Sequence, residues 1–180
     1  MTKYAILAAW ILKVMLDQEP NAPWKDTYQS SADVIAQSAI DEPLFVGEDG
    51  ARKTASEFLS IGWFEGRFNP RAEGDRDCSK RDAAGKCVGA PHSLCMFQVS
   101  DGNFGWLHTS RDKIMGDFKE CVRAARVMIR QSHTVCRGRA KEDRLGWYAR
   151  GGEGCAENAK GKHRALKSGW IFAHYPAAEL

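Results

Sequence analysis

The chain has 180 residues and a mass of 20.0 kDa, and 43% of its residues are hydrophobic. This length and composition fit one globular domain with a real core, and no apolar run is long enough to cross a bilayer as a helix, which argues against a transmembrane anchor. The net charge is only +3, but residues 91–180 carry 15 basic and 9 acidic side chains, against 11 and 14 in residues 1–90. The basic half suits an anionic polymer, and charge does not choose between a nucleic acid and a bacterial wall.

The first segment, Lys3 followed by YAILAAWIL, has the apolar character of a secretory signal. However, Lys13 interrupts it and no small-x-small cleavage site follows. Apolar residues recur every three or four positions, which predicts a retained amphipathic helix over residues 3–17, with Lys13 placed to meet Asp17 one turn later. With no clear signal peptide, export would need another route.

The rest of the pattern predicts one mainly α domain over residues 1–180, with α+β character in the middle. Glycine, proline and charged residues fill residues 69–105, so a long loop or a small hairpin is expected there. Residues 118–130 form an amphipathic helix whose basic face, with Lys119, Arg123, Arg126 and Arg130, is expected to be solvated. Further helices are predicted over residues 31–39, 51–65, 141–150 (ending at Gly151-Gly152) and 160–174.

The six cysteines are an even number, which suggests disulfides or a metal site. Six cysteines allow 15 pairings and the sequence does not select one, although Cys136 and Cys155 bracket the last loop and helix. The competing interpretation is a structural zinc site, because four soft ligands lie close together and His92 and Cys95 have a two-residue gap. No CxxC pair supports that site. Its candidate ligands are Cys78, Cys87, His92 and Cys95.

Glu65 is the acid with the most distinctive setting. It lies seven residues after Phe58, so it continues the buried stripe of its predicted helix. It also lies in the last helical turn, where the helix dipole disfavours a negative charge, and both placements raise a carboxyl pKa. A carboxyl kept protonated beside aromatic residues suits a general acid. The alternative is a structural ion pair with Arg67 or Arg71.

Three short motifs follow one another around and after this acid. They are FNPRA at residues 68–72, SLCMFQ at residues 93–98 and WYARGG at residues 147–152. Their order resembles that of the soluble lytic transglycosylase and goose-type lysozyme superfamily, from about Thr54 to Gly152. Phage and prophage members of that superfamily are similar in size to this chain. The resemblance implies a lysozyme-like α+β fold.

The resemblance implies that Glu65 is the catalytic acid/base. It also implies that Gln98 lines the sugar groove, that Tyr148 places its hydroxyl near Glu65 or the N-acetyl group, and that Ser93 helps to fix the loop. The chain departs from the family pattern at three positions. The usual serine after the acid, the glycine of the second motif and the asparagine after the tyrosine are replaced by Gly66, Cys95 and Ala149.

The expected reaction is cleavage of the MurNAc-GlcNAc β-1,4 bond. In the lytic transglycosylase route that the resemblance implies, the substrate's N-acetyl carbonyl and C6 hydroxyl replace a second protein carboxylate and give a 1,6-anhydro product. Plain lysozyme hydrolysis is the alternative, with Asp75, Asp77 and Asp101 as possible second carboxylates. Aromatic side chains are candidates for stacking on sugars: Trp63, Phe97, Phe104, Trp106, Trp147 and Tyr148.

Two other functions stay open: a peptidoglycan-binding module that has lost catalysis, and a zinc-stabilised nucleic-acid binder. The favoured interpretation expects peptidoglycan strands as the partner, with no nucleic acid, no cofactor and a monomeric protein. It places the protein's action at the bacterial cell wall, in the periplasm or outside the cell, and expects a phage or prophage origin.

Overall fold

The computed structural model describes residues 2–150, 155 and 159–176. Eight α-helices lie in this part of the chain: α1 (Lys3–Gln18), α2 (Tyr28–Asp41), α3 (Gly50–Gly66), α4 (Phe104–Leu107), α5 (Arg111–Gly116), α6 (Phe118–Val135), α7 (Gly146–Arg150) and α8 (Ala159–His174). Three short strands form one antiparallel sheet: β1 (Glu73–Arg76), β2 (Pro91–Leu94) and β3 (Val99–Ser100). The predicted fold class, mainly α with α+β character, is confirmed.

Helix α3 is the centre of the fold. Every residue from Thr54 to Gly62 is buried, which is the pattern of a core helix rather than a surface helix. Helices α1, α2 and α8 pack on α3, and α6 packs on α2. The buried hydroxyl of Ser60 donates to the Arg164 carbonyl at 2.6 Å, so this polar group costs little to bury.

The amphipathic first helix is confirmed. Helix α1 places Leu7, Ile11 and Met15 in the core, as the spacing predicted, and the Lys13–Asp17 ion pair forms at 2.7 Å. No helix in the described residues is long and apolar enough to span a membrane.

The middle segment is more ordered than a loop. The predicted hairpin is β1 paired with β2, in the register that places Gly74 opposite Ser93. The sequence did not predict β3, which pairs with β2, or the short helices α4 and α5. Residues 77–90, between β1 and β2, are mostly exposed.

The cysteines form three disulfides: Cys78–Cys87, Cys95–Cys121 and Cys136–Cys155. The zinc interpretation is therefore wrong, because three of its four ligands are used in disulfides and His92 instead contacts Asp101 at 2.8 Å. In the described part of the chain no other group of His, Cys, Asp or Glu residues is arranged to hold a metal ion.

The basic face of α6 is not uniformly solvated. Arg126 is only 7% exposed and donates to a Glu42 carboxylate oxygen at 2.7 Å and to the Ser38 hydroxyl at 3.0 Å. Arg126 therefore lies between α6 and α2, where an acid and a hydroxyl accept its hydrogen bonds. The prediction was wrong for Arg126.

The end of the chain follows the predicted helices with small shifts. Residues 141–150 divide into a short 3-10 turn at Lys141–Asp143 and helix α7, and α8 begins one residue earlier than predicted. The expected stop at Gly151-Gly152 lies outside the described residues.

Candidate active site

A pocket of about 450 Å³ lies between the end of α3, the small sheet and α7. The four residues to which the sequence assigned roles, Glu65, Ser93, Gln98 and Tyr148, all line it. They come from four separate elements or turns, so only the fold brings them together. The other lining residues are Asp75, Ser100, Gly102, Asn103, Met128, Trp147 and Ala149.

The Glu65 carboxyl is held at the pocket wall by Arg164. The Arg164 Nε donates to Glu65 Oε1 at 2.9 Å, and its Nη2 donates to the same oxygen. The Glu65 side chain is 19% exposed. Burial raises the pKa of this carboxyl, and the charges of Arg164 and Lys160 lower the pKa but do not cancel that effect, while the nearby Asp75 charge raises it further. The carboxyl therefore holds a proton more readily than an ordinary glutamate.

The predicted ion-pair partners of Glu65 were wrong. Arg67 instead contacts Glu19 at 3.1 Å and lies 3.8 Å from the Trp63 ring centroid, and Arg71 is exposed. Arg164 was missed because it lies on α8, 99 residues further along the chain, where no local spacing points to Glu65.

Gln98 is positioned by a tight turn over residues 95–98. Its side-chain Nε2 donates to the Cys95 carbonyl at 3.0 Å, and its Oε1 lies against Gly74, where a Cβ atom would come within 1.9 Å. Both Cys95 (φ 62°) and Gln98 (φ 50°) are left-handed. Glycine adopts that conformation without strain, whereas a residue with a Cβ atom, such as Cys95, adopts it at a cost. Here the disulfide to Cys121 ties the turn to α6.

Gly66 is explained by the same turn. A Cβ atom on Gly66 would lie 2.9 Å from the Met96 carbonyl oxygen and 3.1 Å from the Met96 Cα. The backbone of residues 95–98 therefore occupies the space that a serine would need. The packing of α3 against this turn therefore favours glycine at position 66.

Of the three candidate second carboxylates, Asp75 lines the pocket and the other two do not. The Ser93 hydroxyl donates to Asp75 Oδ2 at 2.6 Å. Asp77 is fully exposed, and hydrogen bonds from Ser79 lower its pKa. Asp101 contacts His92 at 2.8 Å.

Tyr148 is buried, and its hydroxyl donates to the Phe97 carbonyl at 2.5 Å. Burial raises the pKa of Tyr148 well above its usual value, and the nearby Glu65 charge raises it further. The phenol therefore stays protonated and close to Glu65, although its hydrogen is engaged with the backbone.

Left-handed residues other than glycine concentrate around the pocket. Such conformations cost about 1 to 3 kcal/mol each and often mark functional sites. Two of them, Asp75 and Gln98, line the pocket. Three more lie close to lining residues in the sequence: Arg67 and Phe68 follow Glu65, and Cys95 begins the turn that contains Gln98.

The candidate sugar-stacking aromatics divide between core and rim. Phe97 is fully buried and packs with Phe58 and Phe118. Trp147 lines the pocket, and Trp106 lies beside it, 42% exposed. Of the remaining candidates, Phe104 and Trp63 are partly buried and pack against the core.

A second cavity, of about 650 Å³, lies between α3 and α8 and contains none of the predicted site residues. One of its lining acids, Glu57, accepts hydrogen bonds from His133 Nε2 on both carboxylate oxygens, at 3.0 and 2.9 Å. The sequence did not predict this pair, which joins α3 to the end of α6. Glu57 lies on the same helix as Glu65 and is also largely buried, but it lies outside the pocket that contains Glu65. It is therefore a suitable comparison for Glu65.

Comparisons of the chain with protein-family models, with curated proteins and with solved structures find no match.

Proposed function

We propose that this protein is a peptidoglycan-cleaving glycosidase that acts on the MurNAc-GlcNAc β-1,4 bond with Glu65 as general acid and base. One observation carries the proposal: a partly buried acid with a raised pKa lines the same pocket as Ser93, Gln98 and Tyr148. The order of the sequence motifs associates the same four residues.

In the proposed lytic transglycosylase route, Glu65 acts first as an acid and then as a base. Because Arg164 donates to Oε1, the proton belongs on Oε2, which accepts no hydrogen bond from the described residues and is the oxygen proposed to face the glycosidic bond. Proton transfer to that oxygen breaks the bond to C1, and the substrate's N-acetyl carbonyl stabilises the cation. The Glu65 carboxylate then accepts the proton of the muramic acid C6 hydroxyl as its oxygen bonds to C1, giving the 1,6-anhydro product.

Hydrolysis of the same bond is a second candidate, favoured by Asp75. This carboxylate lines the pocket, and its charge acts on Glu65. A second carboxylate beside the acid is what a glycosidase needs to position or activate a water molecule.

A glycan-binding module without catalysis is a third candidate, favoured by the Arg164 ion pair. An acid that is held by a buried arginine also serves structure. The nucleic-acid interpretation has lost both of its motivating observations, because the zinc ligands form disulfides and part of the basic helix face is buried.

The proposed substrate places the protein's action at the bacterial cell wall, in the periplasm or outside the cell. Three disulfides suit an oxidising compartment of this kind. A phage or prophage origin belongs to the same proposal and comes from the resemblance alone.

The test is release of soluble fragments from purified sacculi by the wild type and by Glu65→Gln. We expect the variant to lose at least about a hundredfold in rate, because general acid catalysis contributes about that much or more, while circular dichroism shows an unchanged fold. Glu57→Gln is the matched control, since it removes a buried acid from the same helix outside the pocket, and it should retain activity. Full activity in Glu65→Gln would exclude the proposed role.

Mass spectrometry of the released fragments separates the candidates. A product lighter by one water than the hydrolysis product identifies a transglycosylase, and a reducing end identifies a hydrolase. Asp75→Asn should retain most activity in the first case and lose it in the second. Binding to sacculi with no released fragment, in the wild type, would favour the binding module.

A further inference from the structure

Two tryptophan rings continue the pocket wall onto the surface. Trp147 lines the pocket that contains Glu65, and Trp106 of α4 meets it edge to face, with ring centroids 6.2 Å apart and planes at 66°. Trp106 is 42% exposed. A ligand that covers the open part of this ring gains the free energy of burying its apolar surface.

Asn103 fixes the orientation of Trp106. The indole Nε1 donates to Asn103 Oδ1 at 2.9 Å, and Asn103 itself lines the pocket. The one polar atom of the indole is therefore satisfied within the protein. What Trp106 offers to a ligand is its flat apolar face, held in place by a residue of the pocket.

Trp170 shows what an exposed tryptophan looks like when its ring is engaged within the protein. It is 39% exposed, but the His174 ring stacks on it at 4.4 Å and Lys167 Nζ lies 4.3 Å from its centroid. Among the described residues, Trp147 is the one aromatic ring that contacts the Trp106 ring, and no cation lies over it. The two tryptophans are thus matched in exposure and differ in how much of the ring is engaged.

We propose that Trp106 and Trp147 form a subsite for an N-acetylhexosamine ring of the glycan strand, beyond the sugars that flank Glu65. A pyranose ring presents an apolar face of C–H groups, which fits an indole face, and polar edges, which fit the hydrogen-bonding groups of Ser100 and Asn103 at the same rim. This inference rests on the proposed function, because it takes the glycan as the ligand of the pocket.

The test measures binding of the hexasaccharide of β-1,4-linked N-acetylglucosamine by isothermal titration calorimetry. Glu65→Gln is the background in every protein, so that the ligand is not cleaved. Trp106→Ala should weaken binding by about 3- to 10-fold, the loss expected for one aromatic contact. Trp106→Phe, which keeps an aromatic face, should recover most of that loss, and Trp170→Ala should leave affinity unchanged.

Equal affinities for the Trp106→Ala and Trp170→Ala proteins would overturn the subsite, as would a background protein that does not bind the hexasaccharide. Thermal unfolding of each variant checks that the fold is kept. Fragment release from sacculi by protein with Glu65 intact is measured in parallel. If the wild type releases fragments but Trp106→Ala does not weaken binding, the subsite is rejected and the proposed reaction is kept. If the wild type releases no fragments, the proposed reaction is rejected, and the calorimetric result still decides whether Trp106 binds the hexasaccharide.

Discussion

Glu65 is subject to two opposing influences. Burial and the Asp75 charge raise its pKa, and the adjacent Arg164 guanidinium lowers it, with burial the largest effect. The ion pair therefore reduces the rise in the Glu65 pKa but does not return it to the ordinary value. A general acid works best when its pKa is near the operating pH, so Arg164 is placed to limit how far burial shifts that value.

Replacing Arg164 by methionine should move the alkaline limb of the activity profile to higher pH. Glu65 acts as an acid only while it is protonated, so activity falls as pH rises through its pKa. Loss of the positive charge removes an influence that lowers the pKa, and the protonated form then persists to higher pH. The measurement is the rate of fragment release from sacculi as a function of pH.

Arg164→Lys is the control, because it keeps the charge while changing the hydrogen-bond geometry. Its limb should lie closer to that of the wild type than the methionine variant's limb does. A purely structural role for Arg164 would lower activity at every pH without moving the limb, and that result, or a limb displaced to lower pH, contradicts the assignment.

At this scale the sequence predicted the inward orientation of Glu65 but not its environment. The spacing from Phe58 correctly placed Glu65 on an inward face, since helix periodicity is a local property. Arg164 and the left-handed conformation of Cys95 could not be read from the sequence, because both depend on contacts between segments far apart in the chain.

Helix α8 makes a contact that only glycine permits. A Cβ atom on Gly161 would lie 2.8 Å from the Gly146 backbone nitrogen and 3.0 Å from the Leu145 carbonyl carbon. This contact seats the start of α8 against the start of α7. Arg164 lies less than one turn further along α8, so this packing helps to position its side chain to donate to Glu65.

Gly161→Ala should therefore destabilise the protein by about 1 to 3 kcal/mol, because the methyl group meets backbone that must shift. Gly169→Ala, in the same helix, has open space around the added methyl and should stabilise the protein by up to about 1 kcal/mol through helix propensity. Denaturant unfolding of both variants gives the two values. A stabilising Gly161→Ala would show that α7 and α8 do not pack as described.

The long helices were predictable and the short elements were not. Helices α1, α3 and α8 have enough turns for an apolar stripe to repeat, and their observed bounds lie within about one residue of those predicted. Helices α2 and α6 were also predicted, but both extend two to five residues beyond the predicted ends. Elements β3, α4 and α5 span two to six residues each, too few for a period to show, and they form because the surrounding chain holds them.

Across the whole molecule, the two ends of the chain are stabilised differently. Helices α1 to α3 contain no cysteine and are held by the apolar core, whereas the rest of the chain shares that core and also contains the cross-links. All three disulfides lie from residue 78 onward. An even cysteine count predicted disulfides, and the pairing of Cys95 with Cys121 could not be predicted because spacing does not choose among the alternatives.

Removing the Cys95–Cys121 bond should cost stability in two distinguishable parts. Cys95→Ala with Cys121→Ser loses the cross-link, about 2 to 5 kcal/mol, and keeps a non-glycine residue in a left-handed conformation. Cys95→Gly with Cys121→Ser loses the same cross-link but relieves that strain, so it should be more stable by about 1 kcal/mol. Denaturant unfolding compares the two; a less stable glycine variant would argue against strain at Cys95.

The uneven distribution of cross-links has a consequence for how the pocket responds to its surroundings. Glu65 stands on a core helix that no disulfide holds, whereas the facing Gln98 turn is tethered by one. Under reductant, amide hydrogen exchange should therefore accelerate in residues 95–98 before it does so in α3. Reduction would increase the mobility of the Gln98 turn while leaving Glu65 in position. Binding of a ligand in the pocket should therefore be more sensitive than overall folding to the redox state of the compartment.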